Sequence, residues 1–173
     1  MSGSCRKYPI PEGTILHEYA SKDGFFADCY AVELDAEISF AQYTAAFYST
    51  RIFKVERLIL RFAAAAPSTD QEARQLGLGE TNQFAIWRVA TRLDNQLLME
   101  TKGRTRSWFM VENLAHKGAP KTRLLFGSIV APINGAGPDK PKMGRLFSAL
   151  LGIHTLYSKA LLRAARARLL RLG

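Results

Sequence analysis

The sequence predicts an α+β domain. A bent antiparallel sheet would wrap a long C-terminal helix, with two or three shorter helices following the first strand. Three observations point there. Residues 143–172 contain no proline, and Leu146, Leu150, Ile153, Tyr157, Leu161 and Ala164 recur at helical steps. Residues 25–34 and four later stretches between 84 and 131 alternate as strands do. Between these two blocks, Ser39-Phe-Ala-Gln42 spells a helix-starting capping box.

Taken in order, residues 1–13 hold glycine, serine and two prolines, and read as an irregular arm ahead of a single domain over residues 14–173. Residues 14–19 form a candidate short strand, and Lys22-Asp23-Gly24 is a turn. Residues 25–34 are the first firm strand. Asp28 shares its apolar phase with Phe26, Tyr30, Val32 and Leu34, so this carboxyl group is either at a wet strand end or paired inside. A helix should begin at Phe40, with Ile38 and Tyr43 at its staple positions. A second, over residues 52–64, should turn Val55, Leu58, Ile59 and Phe62 inward. Ser68 or Thr69 would cap a third, over 70–76, closed by Gly77 and Gly79.

Residues 84–92, 96–101, 104–112 and 121–131 read as four antiparallel strands. Lys102-Gly103 is either a turn or a bulge. Trp87, in phase with Ala85, Val89 and Thr91, should face the terminal helix. Leu151, Leu156 and Leu162 widen that helix's apolar face, so its front half needs cover. Lys159, Arg163, Arg166, Arg168 and Arg171 leave its end wet and basic.

The 173 residues suffice for one domain with a sizeable core, and 47% hydrophobic with 23% charged is a soluble globular composition. The formal net charge is +9, much of it in the tail. Such a tail could meet an anionic membrane surface or nucleic acid, or simply complement the helix dipole. Nothing else favours nucleic acid. Cys5 and Cys29 should stay free of a disulfide. The first thirty residues lack a signal-peptide pattern, and the expected location is cytoplasmic.

The order of elements, with Asp28-Cys-Tyr30, Ala46-Phe-Tyr48, Phe53-Lys-Val-Glu-Arg57, Gly103-Arg-Thr-Arg-Ser-Trp-Phe109 and Leu125-Phe-Gly-Ser128, resembles the helix-grip fold of the START and polyketide-cyclase-like superfamily. More closely, it resembles an uncharacterised bacterial family within it. The resemblance spans about residues 25–172 and includes no catalytic signature. It implies a cavity for a lipid, polyketide or other apolar ligand between sheet and terminal helix. Fold alone names no ligand.

Chemistry-bearing motifs are sparse. His17, His116 and His154 stand apart from each other and from the cysteines, so no metal site is expected. Neither a nucleophile elbow nor a dinucleotide or phosphate loop occurs, so no cofactor is expected. Residues 103–108 form the densest polar–aromatic stretch, with Arg104, Arg106, Trp108 and Met110 on one phase. Either they bind an anion, or the arginine stems cover Trp108 on an outer face. A third option pairs Arg104 or Arg106 with Asp28 or Glu56 inside a cavity.

The leading expectation is therefore a protein that binds a small apolar or amphipathic molecule. Tyr30, Trp87, Phe126, Ile153 and Tyr157 are candidate walls. Asp28, Arg104, Arg106, Trp108 and His154 are candidate partners for its polar end. A cyclase, hydrolase or isomerase in the same cavity would need two of Asp28, His154 and Glu56 to converge. An interaction module would use the basic tail on a membrane or nucleic acid, or pair the apolar helix with a second copy as a homodimer.

Overall fold

The computed structural model describes residues 4–55, 57, 67–114, 118–132 and 145–172, with side chains of the last helix from 155 to 171. Seven strands form one antiparallel sheet: β1 (Arg6–Lys7), β2 (Phe26–Leu34), β3 (Gln83–Phe84), β4 (Trp87–Arg92), β5 (Gln96–Glu100), β6 (Thr105–Asn113) and β7 (Thr122–Val130). Their spatial order is β1-β2-β7-β6-β5-β4-β3. The helices are α1 (Ile15–Ala20), α2 (Phe40–Tyr48), α3 (Asp70–Leu78) and the long α4 (Arg145–Leu172). The α+β class and the antiparallel sheet with a C-terminal helix are as the sequence predicts.

The sheet has two covered faces. Its inner face carries Tyr30, Val32, Leu34, Leu97, Phe109, Leu124 and Phe126 against α2 and α4. Its outer face carries Cys29, Ala31, Leu98, Trp108, Leu125 and Ile129 against Ile15 and Leu16 of α1. The middle strands are thus apolar on both phases, which is why they read as near-continuous hydrophobic runs.

α2 starts where predicted. The Ser39 hydroxyl accepts from the Gln42 amide at 3.2 Å, and the Ser39 amide donates back to Gln42 Oε1 at 2.8 Å. Its Tyr43 and Phe47 press on the inner face. Phe47 lies 4.9 Å from Phe126 and 4.8 Å from Phe109, centroid to centroid, and Tyr43 donates to the Leu125 carbonyl at 3.0 Å. Thr69, one of the two candidates, caps α3. Gly79 closes it at φ +82°, a conformation glycine takes without cost. The chain is helical again over residues 51–55. There Val55, expected inward, is 60% exposed. Leu58, Ile59 and Phe62 lie outside the described residues.

Several local expectations give way. Residues 14–19 are not a strand: Thr14 accepts from the His17 amide at 3.2 Å and starts α1, whose Ile15 and Leu16 are buried. The predicted strand over 84–92 is two, because Ala85 adopts φ +51° and turns the chain between Phe84 and Trp87. Lys102-Gly103 belongs to the turn joining β5 to β6; the bulge is in β4, between Val89 and Thr91. That bulge brings Arg92 round, so that it donates to the carbonyls of Leu76 and Thr81 and helps cap α3. The arm is not wholly irregular. Arg6 and Lys7 extend the sheet beside β2, and Cys5 is buried in the inner core. Both cysteines are free thiols, and burial pushes Cys29 up to about 12. The end of α4 is not simply wet: Leu161, Leu162, Ala165 and Leu169 are buried against α2 and the sheet, whereas Leu156, counted among its apolar residues, is 67% exposed.

Glycine at position 127 has a steric cause. A β-carbon there would meet Leu16 Cδ2 at 2.6 Å, the Asp28 carbonyl oxygen at 2.9 Å and Trp108 Cε3 at 3.1 Å. Gly127→Ala should therefore destabilise by about 1–3 kcal/mol in urea unfolding, the cost of overpacking; an unchanged midpoint would mean that α1 does not press on β7.

A charge network ties the outer side of β2 to β7 and β6. Glu33 meets Lys121 at 2.7 Å and Arg123 at 2.9 Å, and Arg123 meets Glu112 at 2.6 Å. Hydrogen bonds from Lys121 and Arg123 hold the Glu33 carboxyl below its ordinary value of 4.5. A lowered folded-state value means stability that is present above 4.5 and lost as pH falls through the folded value. Glu33→Gln should lower stability at neutral pH and narrow the gap to the wild type below pH 4.5; parallel stability–pH curves would show that the network contributes nothing.

Candidate functional site

Across the inner face the chemistry changes from one end of the sheet to the other. The rung Tyr30, Phe126, Phe109 and Leu97 is apolar but for the Tyr30 hydroxyl. The next rung toward the start of β2 runs Asp28, Ser128, Ser107 and Met99. Here a carboxyl group and two hydroxyls take positions where the alternation elsewhere puts hydrocarbon.

Asp28 is 4% exposed, so it is not the wet end of a strand. The Ser128 backbone amide donates to Asp28 Oδ1 at 3.1 Å, and Tyr30 Oη lies 3.1 Å from Oδ2. Tyr30 Oη is also 3.1 Å from Thr155 Oγ1 on α4. A phenol has one proton. It goes to the carboxyl oxygen, the stronger acceptor, and the Thr155 hydroxyl can then donate to the phenol oxygen. Burial pushes the Tyr30 phenol above its ordinary range, the Thr155 hydrogen bond pulls it back, and the neighbouring Asp28 adds to the rise. Tyr30 thus stays a neutral donor at physiological pH. The Lys159 ammonium stands over its ring at 5.5 Å.

The cluster has hydrogen-bonding capacity to spare. A carboxyl group offers about four lone-pair positions, of which Asp28 fills two with protein donors. The hydroxyls of Ser128 and Ser158 are buried with no partner among the described residues. Ser158 follows Thr155 by three positions, so both lie on one side of α4. Buried polar groups of this kind ordinarily find partners.

The remaining predicted site residues divide. Tyr30, Trp87, Phe126 and Tyr157 belong to the inner side, with Asp28. Phe126 is packed against Phe47, and Trp87 against Phe53 at 5.4 Å. Arg106 and Trp108 lie on the outer phase and share no space with Asp28. Trp108 is buried under α1 and donates to Gln96 Oε1 at 3.0 Å. Arg106 lies 3.7 Å from Glu100 and over the Tyr19 ring, and Arg104 donates to the Ala131 carbonyl. Neither arginine pairs with Asp28. Glu56 and His116 lie outside the described residues, as do the side chains of Ile153 and His154. Two hollows, of about 290 and 500 Å³, lie at the opposite end of the sheet from Asp28. No metal-holding group of His, Cys, Asp and Glu occurs among the described residues.

Sequence reasoning missed Thr155, Ser158 and the role of Ser128. Only Ser128 left a signal: it is a lone hydroxyl on an apolar phase, and pairing sets it opposite Asp28. Among the described residues, no helix is long and apolar enough to cross a membrane. Neither a family model nor a curated protein matches the chain.

Tyr30→Phe removes the link between β2 and α4. It should cost about 1–2 kcal/mol in chemical unfolding, since both hydrogen bonds of the phenol are lost and Asp28 Oδ2 and the Thr155 hydroxyl lose that partner. A loss no larger than that of an exposed substitution would mean that Tyr30 does not join α4 to the sheet.

Proposed function

We propose that the protein binds a small amphipathic molecule between the polar end of the inner face and the terminal helix. The antiparallel sheet and the C-terminal helix are consistent with the helix-grip plan that the START-like resemblance implies. In this reading the polar group of the ligand is a hydrogen-bond donor, such as a hydroxyl or amide N–H. It would donate to Asp28 and exchange hydrogen bonds with Ser128 and Ser158, while its hydrocarbon lies against Tyr30 and Tyr157. The observation that carries this reading is the buried carboxyl group of Asp28, opposite a Ser128 hydroxyl without a partner among the described residues, under a helix to which Tyr30 ties it. A site built to hydrogen-bond a ligand group discriminates strongly against analogues that lack it. Phe47 fills the inner face at Phe126, so a ligand would have to enter at the Asp28 end. The enzymatic reading would need His154 or Glu56 to converge on Asp28, and the side chains of both lie outside the described residues.

Native mass spectrometry of the full chain, purified from cells without denaturation, tests this. A non-covalent small molecule should accompany the wild type and be lost from Asp28→Leu, a variant of the same branched shape without the carboxyl group. A ligand-free wild type, or a ligand kept by a folded Asp28→Leu, would overturn the proposal.

A further inference from the structure

At the other end of the molecule α2, α3 and the last turns of α4 surround a trough of about 500 Å³. Ala41 and Ala45 of α2 form a smooth wall along it, and Leu78 and Leu169 face it from α3 and α4. Leu78 is 64% exposed although it closes a helix whose other apolar positions, Ala73 and Leu76, are buried. Small residues on α2 leave room that larger side chains would fill. Large apolar surface left beside such room marks a binding site more often than chance.

Charge sets the polarity of an occupant. Arg74 of α3 and Arg168 of α4 both line the trough, and no described carboxylate forms an ion pair with either. Some other arginines hold acids: Arg57 meets Asp70, Arg123 meets Glu33 and Glu112, and Arg88 meets Glu100, whereas Arg51 and Arg163, like Arg74 and Arg168, meet no described carboxylate. Among the described residues the one acid at the trough, Glu37, is exposed and shared with the smaller hollow. Two guanidinium groups on separate helices, beside an apolar wall, match a single carboxylate on a hydrocarbon chain. Arginine binds that group through a planar, two-pronged hydrogen-bonding edge.

We propose that this trough binds a free long-chain fatty acid. Its carboxylate lies between Arg74 and Arg168, and its chain runs along Ala41 and Ala45 toward Leu169. The volume falls in the range of small-molecule sites, about 300–1,000 Å³. A partner protein would need on the order of 800 Å² of contact per side for a stable interface, far more than one short trough offers. The proposal does not rest on the Asp28 cluster, which lies at the opposite end of the sheet.

Titration calorimetry of the full chain with hexadecanoate, below its aggregation concentration, tests it. One molecule should bind per chain. The double variant Arg74→Ala/Arg168→Ala should bind at least about tenfold more weakly, as loss of charge-assisted hydrogen bonds requires. Hexadecanol, which keeps the chain but not the charge, should be weakened as much. Ala45→Trp, which fills the trough, should abolish binding. Asp28→Leu should leave it unchanged, which separates this site from the one proposed above. Arg74 is exposed and Arg168 half-buried, so circular dichroism should show the double variant folded and keep the test valid if Ala45→Trp does not fold. Equal affinity for the double variant, equal affinity for hexadecanol, loss in Asp28→Leu, or binding to phospholipid vesicles but not to hexadecanoate would each overturn the proposal.

Discussion

Nine consecutive residue pairs, from Phe26 opposite Val130 to Leu34 opposite Thr122, join the first long strand to the last. The pairing brings together segments about a hundred residues apart, and the sheet takes its sense of inside and outside from it. Side chains alternate along a strand, so a slip of one residue would exchange the two faces. Asp28 would then point at α1 and Cys29 at α4. Two devices hold the register. Glu33 and Arg123 stand opposite one another on the outer side, and Gly127 admits Leu16 and Trp108 where any larger residue would collide.

The two faces answer different needs. The outer face is covered by a short helix, and a backbone amide and an indole buried there find their partner on the spot. Gln96 Oε1 serves both, accepting from the Ile15 amide at 3.1 Å and from the Trp108 indole at 3.0 Å. The inner face is graded. Under α2 it is a packed aromatic cluster, in which Phe47, Phe109 and Phe126 meet at centroid distances of 4.8–5.3 Å. Toward the start of β2 it becomes polar, with Asp28, Ser107 and Ser128 in one row. Packing as dense as that around Phe47 leaves no room for a guest. The polar row keeps hydrogen-bonding capacity open, since the buried Ser128 hydroxyl has no partner among the described residues. The trough between the helices is a separate matter, since it arises from small side chains on α2 and unpaired arginines on its neighbours.

Much of the architecture could be read in the chain because its signals are local. A capping box spans four residues, and Ser39 and Gln42 form theirs. A period of two marks a strand, and β2, β5, β6 and β7 fall where alternation puts them. Misreadings occurred where a signal was short or a single backbone angle decided. Ala85 breaks one predicted strand in two by adopting φ +51°, which no composition rule requires of alanine. Residues 14–19 suit either structure, and the cap from Thr14 settled them as helix. The candidate site was half legible: Asp28 stood out as an acid on an apolar phase, but its partners lie 100 and 125 residues away along the chain, at Ser128 and, through Tyr30, Thr155.

The sequence by itself determined the α+β class, the capped starts of α2 and α3, the length of α4 and the oddity of Asp28. Each depends on neighbours within a few turns or one strand. Tertiary structure alone decided which face each strand turns inward, that Arg106 and Trp108 lie apart from Asp28, and that Arg74 and Arg168 flank one trough. Those outcomes depend on which distant segments pair and pack, and the alternation of a strand specifies two faces without saying which of them a helix will cover.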